Sequence, residues 1–493
     1  MSEPRPGGPG ERNGYSSPHR QPFTAANGST ASHRHNPHEP AAPPPGGPPP
    51  PPPQPPPRPA IRPRTVALIA GVAAVLLLVG AATAYYVSIG GTPGRGPRAT
   101  AARPSDWAVP FPDADSTDYT SAMAFASWLN GGTVIRVQKD GILAYDLSTG
   151  RRAWGVPAPG AQLCGATQEL QQGRGAIAYG SASVCDHLAG LDTATGRIRW
   201  RTKIPAERSR LSNDLTVPRV MSTNGLVVTG SGDVLTGYGL ADGRRRWKAS
   251  PPGECRLQDA AAAPGRLAVL LDCSGGGRDE LRLLDPETGR TRVRVAVAKL
   301  RLMDGLLSAE PIIVHRDVGD RNAFTVFDGD GAKVSAFTTD RIDLLAMNSV
   351  AFVRGMLPRR RYAVHGDRLY LATFPQEVPR RLRSRNRALA FDLRTGERVW
   401  ESSGTHDTIL TYIRADGEGL LALETGDWRA LAPRLVRLDA ATGRASPVAV
   451  LPQKYGTEAD KAQVFEYDGA VVIVPWTTAG AKNAVTYVDT RGS

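Results

Sequence analysis

One turn recurs eight times in this chain, and no other feature limits its possible folds as sharply. It reads ILAYDLSTGRRAW at 142–154, LAGLDTATGRIRW at 188–200, LTGYGLADGRRRW at 235–247 and LRLLDPETGRTRV at 281–293. It continues as FTVFDGDGAKV at 324–334, ALAFDLRTGERVW at 388–400, LVRLDAATGRASP at 435–447 and VTYVDTRGS at 485–493. The aspartate, or the residue in its place, stands at 146, 192, 239, 285, 328, 392, 439 and 489. Successive spacings are therefore 46, 47, 46, 43, 64, 47 and 50 residues, eight copies of one unit with one insertion.

Each copy has a physical reading. An alternating apolar run ends in Asp-x-x-Thr-Gly, where the aspartate can bond its own backbone and the glycine supplies positive φ for a tight hairpin. Upstream lie two further β-type runs, such as Arg266–Leu271 after the turn Pro264-Gly265. No 3.6-residue period appears between turns, so a helical solenoid is excluded. Four strands in about 46 residues is the pattern of a β-propeller blade, and the expected fold is an all-β, eight-bladed propeller. Trp154, Trp200, Trp247 and Trp400 each follow the repeat glycine by four residues and are expected to pack between blades.

The pattern Ala-x-Asp-x-x-x-Gly-x-x-x-Trp resembles the tryptophan-docking motif of pyrroloquinoline-quinone-like propeller repeats. Ala144, Asp146, Gly150 and Trp154 match it, as do Ala390, Asp392, Gly396 and Trp400. The second unit keeps Asp192, Gly196 and Trp200; the third keeps Gly243 and Trp247 but has Gly239 for the aspartate. The fourth, fifth and seventh units lack the tryptophan. The resemblance covers residues 107–493 and implies either a quinone-dependent oxidoreductase or a noncatalytic relative that keeps only the scaffold. Such enzymes hold the quinone on calcium with Glu, Asn and Asp ligands, and many stack it on a disulfide between adjacent cysteines. Neither a Cys-Cys pair nor such a ligand cluster is present, so no cofactor, metal or catalytic residue is assigned. The expected role is a noncatalytic binding or assembly platform, similar to the family's lipoprotein scaffold for outer-membrane protein assembly. The alternatives are the oxidoreductase and an extracytoplasmic ligand sensor.

Ahead of the repeats the composition changes. Of the 42 prolines, 21 lie in residues 1–63, where Tyr15 and Phe23 are the only aromatics. Such a segment can neither fill sheet ladders nor bury a core, so 1–64 is read as a disordered Pro-rich tail. From Thr65 to Ile89 no residue is charged. At about 1.5 Å per residue this run can cross a bilayer, and 65–89 is read as a transmembrane signal anchor followed by a linker at 90–106. Three arginines flank each end of the span, so the local charge bias is a tie. The earlier Arg5, Arg12, Arg20 and Arg34 favour a cytoplasmic tail and an extracytoplasmic propeller in the cell membrane.

The net charge of +13, carried mainly by arginine, suits anionic lipid, an anionic envelope polymer or an envelope protein as partner. Nucleic acid conflicts with the exterior placement. The enlarged sixth unit holds Arg359-Arg360-Arg361 and a second run with Arg380, Arg381, Arg383, Arg385 and Arg387. The second run is expected to project as a loop, a possible anion-binding site because arginine's fork matches phosphate and carboxylate. No nucleophile elbow, zinc-protease motif or phosphate-binding loop occurs.

Two further expectations come from spacing. The last unit stops after its third strand, while Trp107-Ala-Val-Pro resembles Trp154-Gly-Val-Pro 47 residues later. Residues 107–110 are therefore expected to supply the missing outer strand and close the ring. Cys255 and Cys273 lie nine residues either side of 264, and Cys164 and Cys185 are centred on Arg174-Gly175. Residues equidistant from a hairpin turn face each other, which favours two within-blade disulfides, each joining the first two strands, and an oxidising compartment.

Overall fold

The computed structural model describes residues 106–111, 124–181, 184–205, 218–273, 277–301, 304–340, 342, 361–378, 384–426, 431–455, 462–476 and 481–491. The Pro-rich tail, the apolar run 65–89, and Arg380, Arg381 and Arg383 lie outside them. All the described residues fall in the compact unit Thr92–Ser493. Among them no helix is long and apolar enough to cross a membrane.

Eight four-stranded antiparallel sheets form the eight blades of a propeller. Blades 1 to 7 occupy 124–157, 162–203, 219–249, 256–296, 305–340, 362–402 and 410–450, and blade 8 takes its first three strands from 462–489. The first strands of neighbouring blades approach one another, so first strands ring the axis and last strands form the rim. Blade 6 also carries a short ribbon, Gln376–Glu377 paired with Ser384–Arg385, between its second and third long strands. The insertion expected to project as a loop is therefore partly a hairpin of its own.

Alternation of side chains explains how the blades cohere. In the second strand of blade 1, Val134 packs with blade 8 while Ile135 packs with blade 2. The same division runs round the ring, and each of eight apolar clusters joins one blade to the next. A middle strand is thus buried on both faces, which is why Ala470–Pro475 reads as an unbroken apolar run. Outer strands bury one face only, and Arg197–Lys203 alternates between exposed and half-buried residues along its length.

Closure follows the expected route. Trp107–Pro110 pairs antiparallel with Asn483–Asp489, and blade 8 therefore contains both ends of the repeat region.

Candidate functional site

The repeated turn builds the blade junctions. In blade 1 the Asp146 carboxylate accepts hydrogen bonds from the backbone N–H groups of Ser148 (3.0 Å) and Thr149 (2.9 Å). Gly150 adopts φ of 68°, and Trp107 from blade 8 stands over the spot where its Cβ would be. Trp154, Trp200 and Trp247 cover Gly196, Gly243 and Gly289 of the following blade in the same way, and Trp400 covers Gly443. The Trp200 indole N–H also donates to the Leu240 carbonyl at 2.8 Å, and that of Trp400 to Ala440 at 3.0 Å. A tryptophan here joins apolar stacking to a satisfied donor, as its amphipathic ring requires.

The departures from the motif have structural substitutes. In blade 3 the Asp242 carboxylate occupies the space beside Gly239 that an aspartate side chain would fill, and it accepts from the Arg244 backbone N–H at 3.0 Å. In blade 5, Phe337 stands against Gly396, while Ser335 donates its hydroxyl to the Leu393 carbonyl at 2.6 Å. Two side chains there share the work of one indole.

At the axis, the inner strands of blades 3 to 5, with Gln168, Glu169 and Tyr362, enclose a cavity of about 430 Å³. Its wall is mostly small or apolar: Ala261, Ala263, Val220, Met221 and Leu307. Three inner strands meet there through one ion pair, Arg219 of blade 3 with Asp259 of blade 4. Asp259 also accepts from the backbone N–H of Leu306 in blade 5 at 2.8 Å. Burial lowers the Arg219 pKa to about 10, although the adjacent carboxylate keeps the guanidinium charged. The charges of this pair are spent on the wall, which offers shape and a few hydrogen-bonding groups. It has the form of a binding funnel.

Of the basic insertion, Arg385 pairs with Asp407 at 2.7 Å and Arg387 with Glu401. Both line a second cavity of about 250 Å³, with Arg398 and Asn386. Arg361, from the first arginine run of this unit, lies in the interior. It is buried at 1% exposure and donates to the Leu410 carbonyl at 3.0 Å, tying blade 6 to blade 7. His187 bonds its neighbour Asp186 at 2.6 Å, and buried His315 bonds Asn322 at 2.8 Å.

The cysteines form Cys164–Cys185 and Cys255–Cys273. The second bridge flanks the pair Arg256↔Asp272 at the end of the first two strands of blade 4, as the symmetry about 264 requires. The first does not join the first two strands of its blade. Cys164 sits at a bulge in the first strand, and Cys185 opens the third strand opposite Gly180. The hairpin turns at Gln172-Gly173, both at positive φ, and the true centre is offset from Arg174-Gly175.

A calcium-held quinone is the group this fold brings to mind, and the described residues do not fit it. No three His, Cys, Asp or Glu side chains are grouped to hold an ion among them, the funnel's Asp259 is committed to Arg219 and Leu306, and both disulfides join residues 18 or more apart.

A family profile described as outer membrane protein assembly factor BamB matches residues 138–402, more than half of the sequence. The chain belongs to that family. Three solved structures of similar fold accompany the match. BamB from Moraxella catarrhalis is 13% identical, with 74% of this chain and 96% of that one covered at a TM-score of 0.42. Quinohemoprotein alcohol dehydrogenase ADHIIG from Pseudomonas putida HK5 is 13% identical, with 79% and 76% covered at 0.45. A europium-containing methanol dehydrogenase is 12% identical, with 72% and 84% covered at 0.42. The sequence matches none of the curated proteins.

Proposed function

We propose that this protein is a noncatalytic binding or assembly platform, held to the cell membrane by residues 65–89 with its propeller outside. The observation that carries the reading is the funnel. Its half-buried ion pair is neutralised within the wall, and most of the remaining lining is alanine, leucine, valine and methionine, beside Gln168, Glu169, Ser222, Ser308, Pro264 and Tyr362. A surface of that kind can grip an apolar or extended segment of another protein. Membership of a family described as an assembly factor supports the same reading. Two disulfides fit an oxidising exterior, and the arginines of the tail fit a cytoplasmic N-terminus.

Site-specific photocrosslinking from Ser308 on the funnel wall, in intact cells, tests the platform. A discrete crosslinked protein partner is expected, and its loss when Ala261→Trp fills the funnel would place the partner there. No crosslink from any wall position would count against a protein-binding funnel. Titrating the purified chain with calcium and pyrroloquinoline quinone tests the rival: a bound-quinone spectrum with alcohol-dependent dye reduction would make it an oxidoreductase.

A further inference from the structure

The outer strands of the eight blades are not alike in charge. Those of blades 1 to 4 are Arg152–Pro157, Arg197–Lys203, Arg245–Ala249 and Thr291–Ala296. Together they carry ten cations and no carboxylate: one in blade 1, four in blade 2, three in blade 3 and two in blade 4. The outer strands of blades 5 to 8 are Lys333–Asp340, Arg398–Ser402, Ala445–Val450 and Trp107–Pro110. They carry two cations and two acids, a net of zero. All ten cations of the first group are exposed.

Three of the ten pair with a turn aspartate of their own blade: Arg199 with Asp192, Arg246 with Asp242, and Arg292 with Asp285. The other seven have no ion pair with a described residue. Charges on an edge strand also serve to block edge-to-edge pairing. That need is the same for every blade and for either sign, so it does not explain ten cations on one half of the ring and none net on the other. We propose that the rim of blades 1 to 4 is a binding track for a flexible, phosphate-bearing linear polyanion.

Shape and composition choose that partner over others. Eight blades place successive rims about 45° apart (360°/8), so the track turns through about 135° from blade 1 to blade 4. Its cations run the length of the strands, as in the row Arg197, Arg199, Arg201 and Lys203, with about 6–7 Å between alternate residues. A flat bilayer laid against the edge meets two rims at most, and one laid on a ring face meets only strand ends. A flexible chain can follow the whole curve. The aromatic residues of the four strands, Trp154, Trp200 and Trp247, are turned onto Gly196, Gly243 and Gly289 of the next blade. They offer no platform for stacked bases, which separates a bare phosphate chain from a single-stranded nucleic acid.

Binding of long-chain inorganic polyphosphate (about 100 phosphates) to the full-length chain in neutral detergent tests the track, with tripolyphosphate, anionic phospholipid vesicles and a single-stranded oligonucleotide as comparison ligands. The long chain is expected to bind most tightly, and to weaken about tenfold or more between 50 and 200 mM salt through counterion release. The double variant Arg201→Glu/Arg294→Glu is expected to lose about tenfold in affinity, and Lys333→Glu/Arg444→Glu, with the same charge change on the other half, no more than about twofold. The milder Arg201→Gln/Arg294→Gln is expected to fall between and guards against a folding effect of the reversal. Equal losses in the two reversed variants would overturn the track in favour of general charge attraction. Tighter binding to vesicles would overturn it in favour of a lipid surface, and tighter binding to the oligonucleotide in favour of nucleic acid.

Discussion

Trp107 and Tyr487, 380 residues apart in sequence, stack with ring centroids 5.4 Å apart and planes 2° from parallel. The Trp107 indole N–H continues to the Leu147 carbonyl of blade 1 at 2.9 Å. One side chain therefore joins the first described strand, the last strand and the first blade. It is the docking tryptophan of blade 8, supplied from the far end of the chain. Trp107→Ala removes a half-buried ring and its hydrogen bond, and is expected to cost about 2–4 kcal/mol in a denaturant titration. Deletion of 105–112 is expected to cost more and to promote aggregation by exposing the edge of Asn483–Asp489. An unchanged unfolding midpoint for either variant would contradict closure by this strand.

Gly196 and Gly225 separate backbone strain from tryptophan docking. Their φ angles are 71° and 72°, so a Cβ strains both backbones equally. At Gly196 a Cβ would lie 2.6 Å from the Trp154 ring, whereas nothing lies within 4 Å at Gly225. Gly225→Ala is expected to cost about 1–2 kcal/mol, the left-handed penalty alone. Gly196→Ala should cost about 1–3 kcal/mol more, because the indole must leave its seat between blades 1 and 2. Equal losses by denaturant unfolding would mean that the ring can shift freely.

The turns are legible in sequence because each depends on residues within one hairpin, where Asp-x-x-Thr-Gly and a following tryptophan act at fixed offsets. The closing strand is legible because Trp107-Ala-Val-Pro resembles Trp154-Gly-Val-Pro one repeat length away. Substitution within the motif is harder to read. That Asp242 replaces the aspartate missing at 239 follows from a carboxylate three residues along reaching back, and a spacing count does not see it. Ser335 and Phe337 replace a tryptophan with two residues of unlike chemistry. The hairpin turns at Gln172-Gly173 and its second strand ends at Gly180, five residues before Cys185, so symmetry about Arg174-Gly175 finds the right cysteine partner and the wrong strand. The funnel is the least legible part. Periodicity puts residues 219, 259 and 306 near one radius, but only the ring brings Arg219, Asp259 and the Leu306 N–H together.

Both disulfides are expected to be recovered intact by peptide mapping of unreduced protein. They close segments of 21 and 18 residues, and loop entropy assigns each about 3 kcal/mol through restriction of the unfolded chain. Cys164→Ser/Cys185→Ser and Cys255→Ser/Cys273→Ser should each lower the unfolding free energy by about 2–3 kcal/mol, with similar effects for the similar segment lengths. A pair whose replacement leaves stability unchanged would show that its bridge restrains little in the unfolded chain.

The repeated turns also predict the pH response of the fold. Hydrogen bonds from the Ser148 and Thr149 hydroxyls hold the Asp146 carboxyl below its usual range, and the Thr442 hydroxyl does so for Asp439. At Asp192 and Asp285 burial is the largest single influence and acts the other way, but it is outweighed by Arg199 or Arg292 together with the hydrogen bonds of the turn. Each carboxyl is thus more acidic folded than unfolded, and between its two pKa values the unfolded chain binds more protons. Stability from these turns is complete above the unfolded value of about 3.9 and is lost as pH falls through the folded values. Denaturant midpoints are expected to be insensitive to these groups from pH 5 to 8 and to drop below about pH 4. Asp146→Asn and Asp439→Asn keep an acceptor for the backbone N–H groups and remove the titration. Their stability should approach that of the parent as the pH is lowered, because protonation has already cost the parent the same charged acceptors. A constant difference between parent and variant from pH 3 to 7 would show that the aspartates act through shape and not through charge.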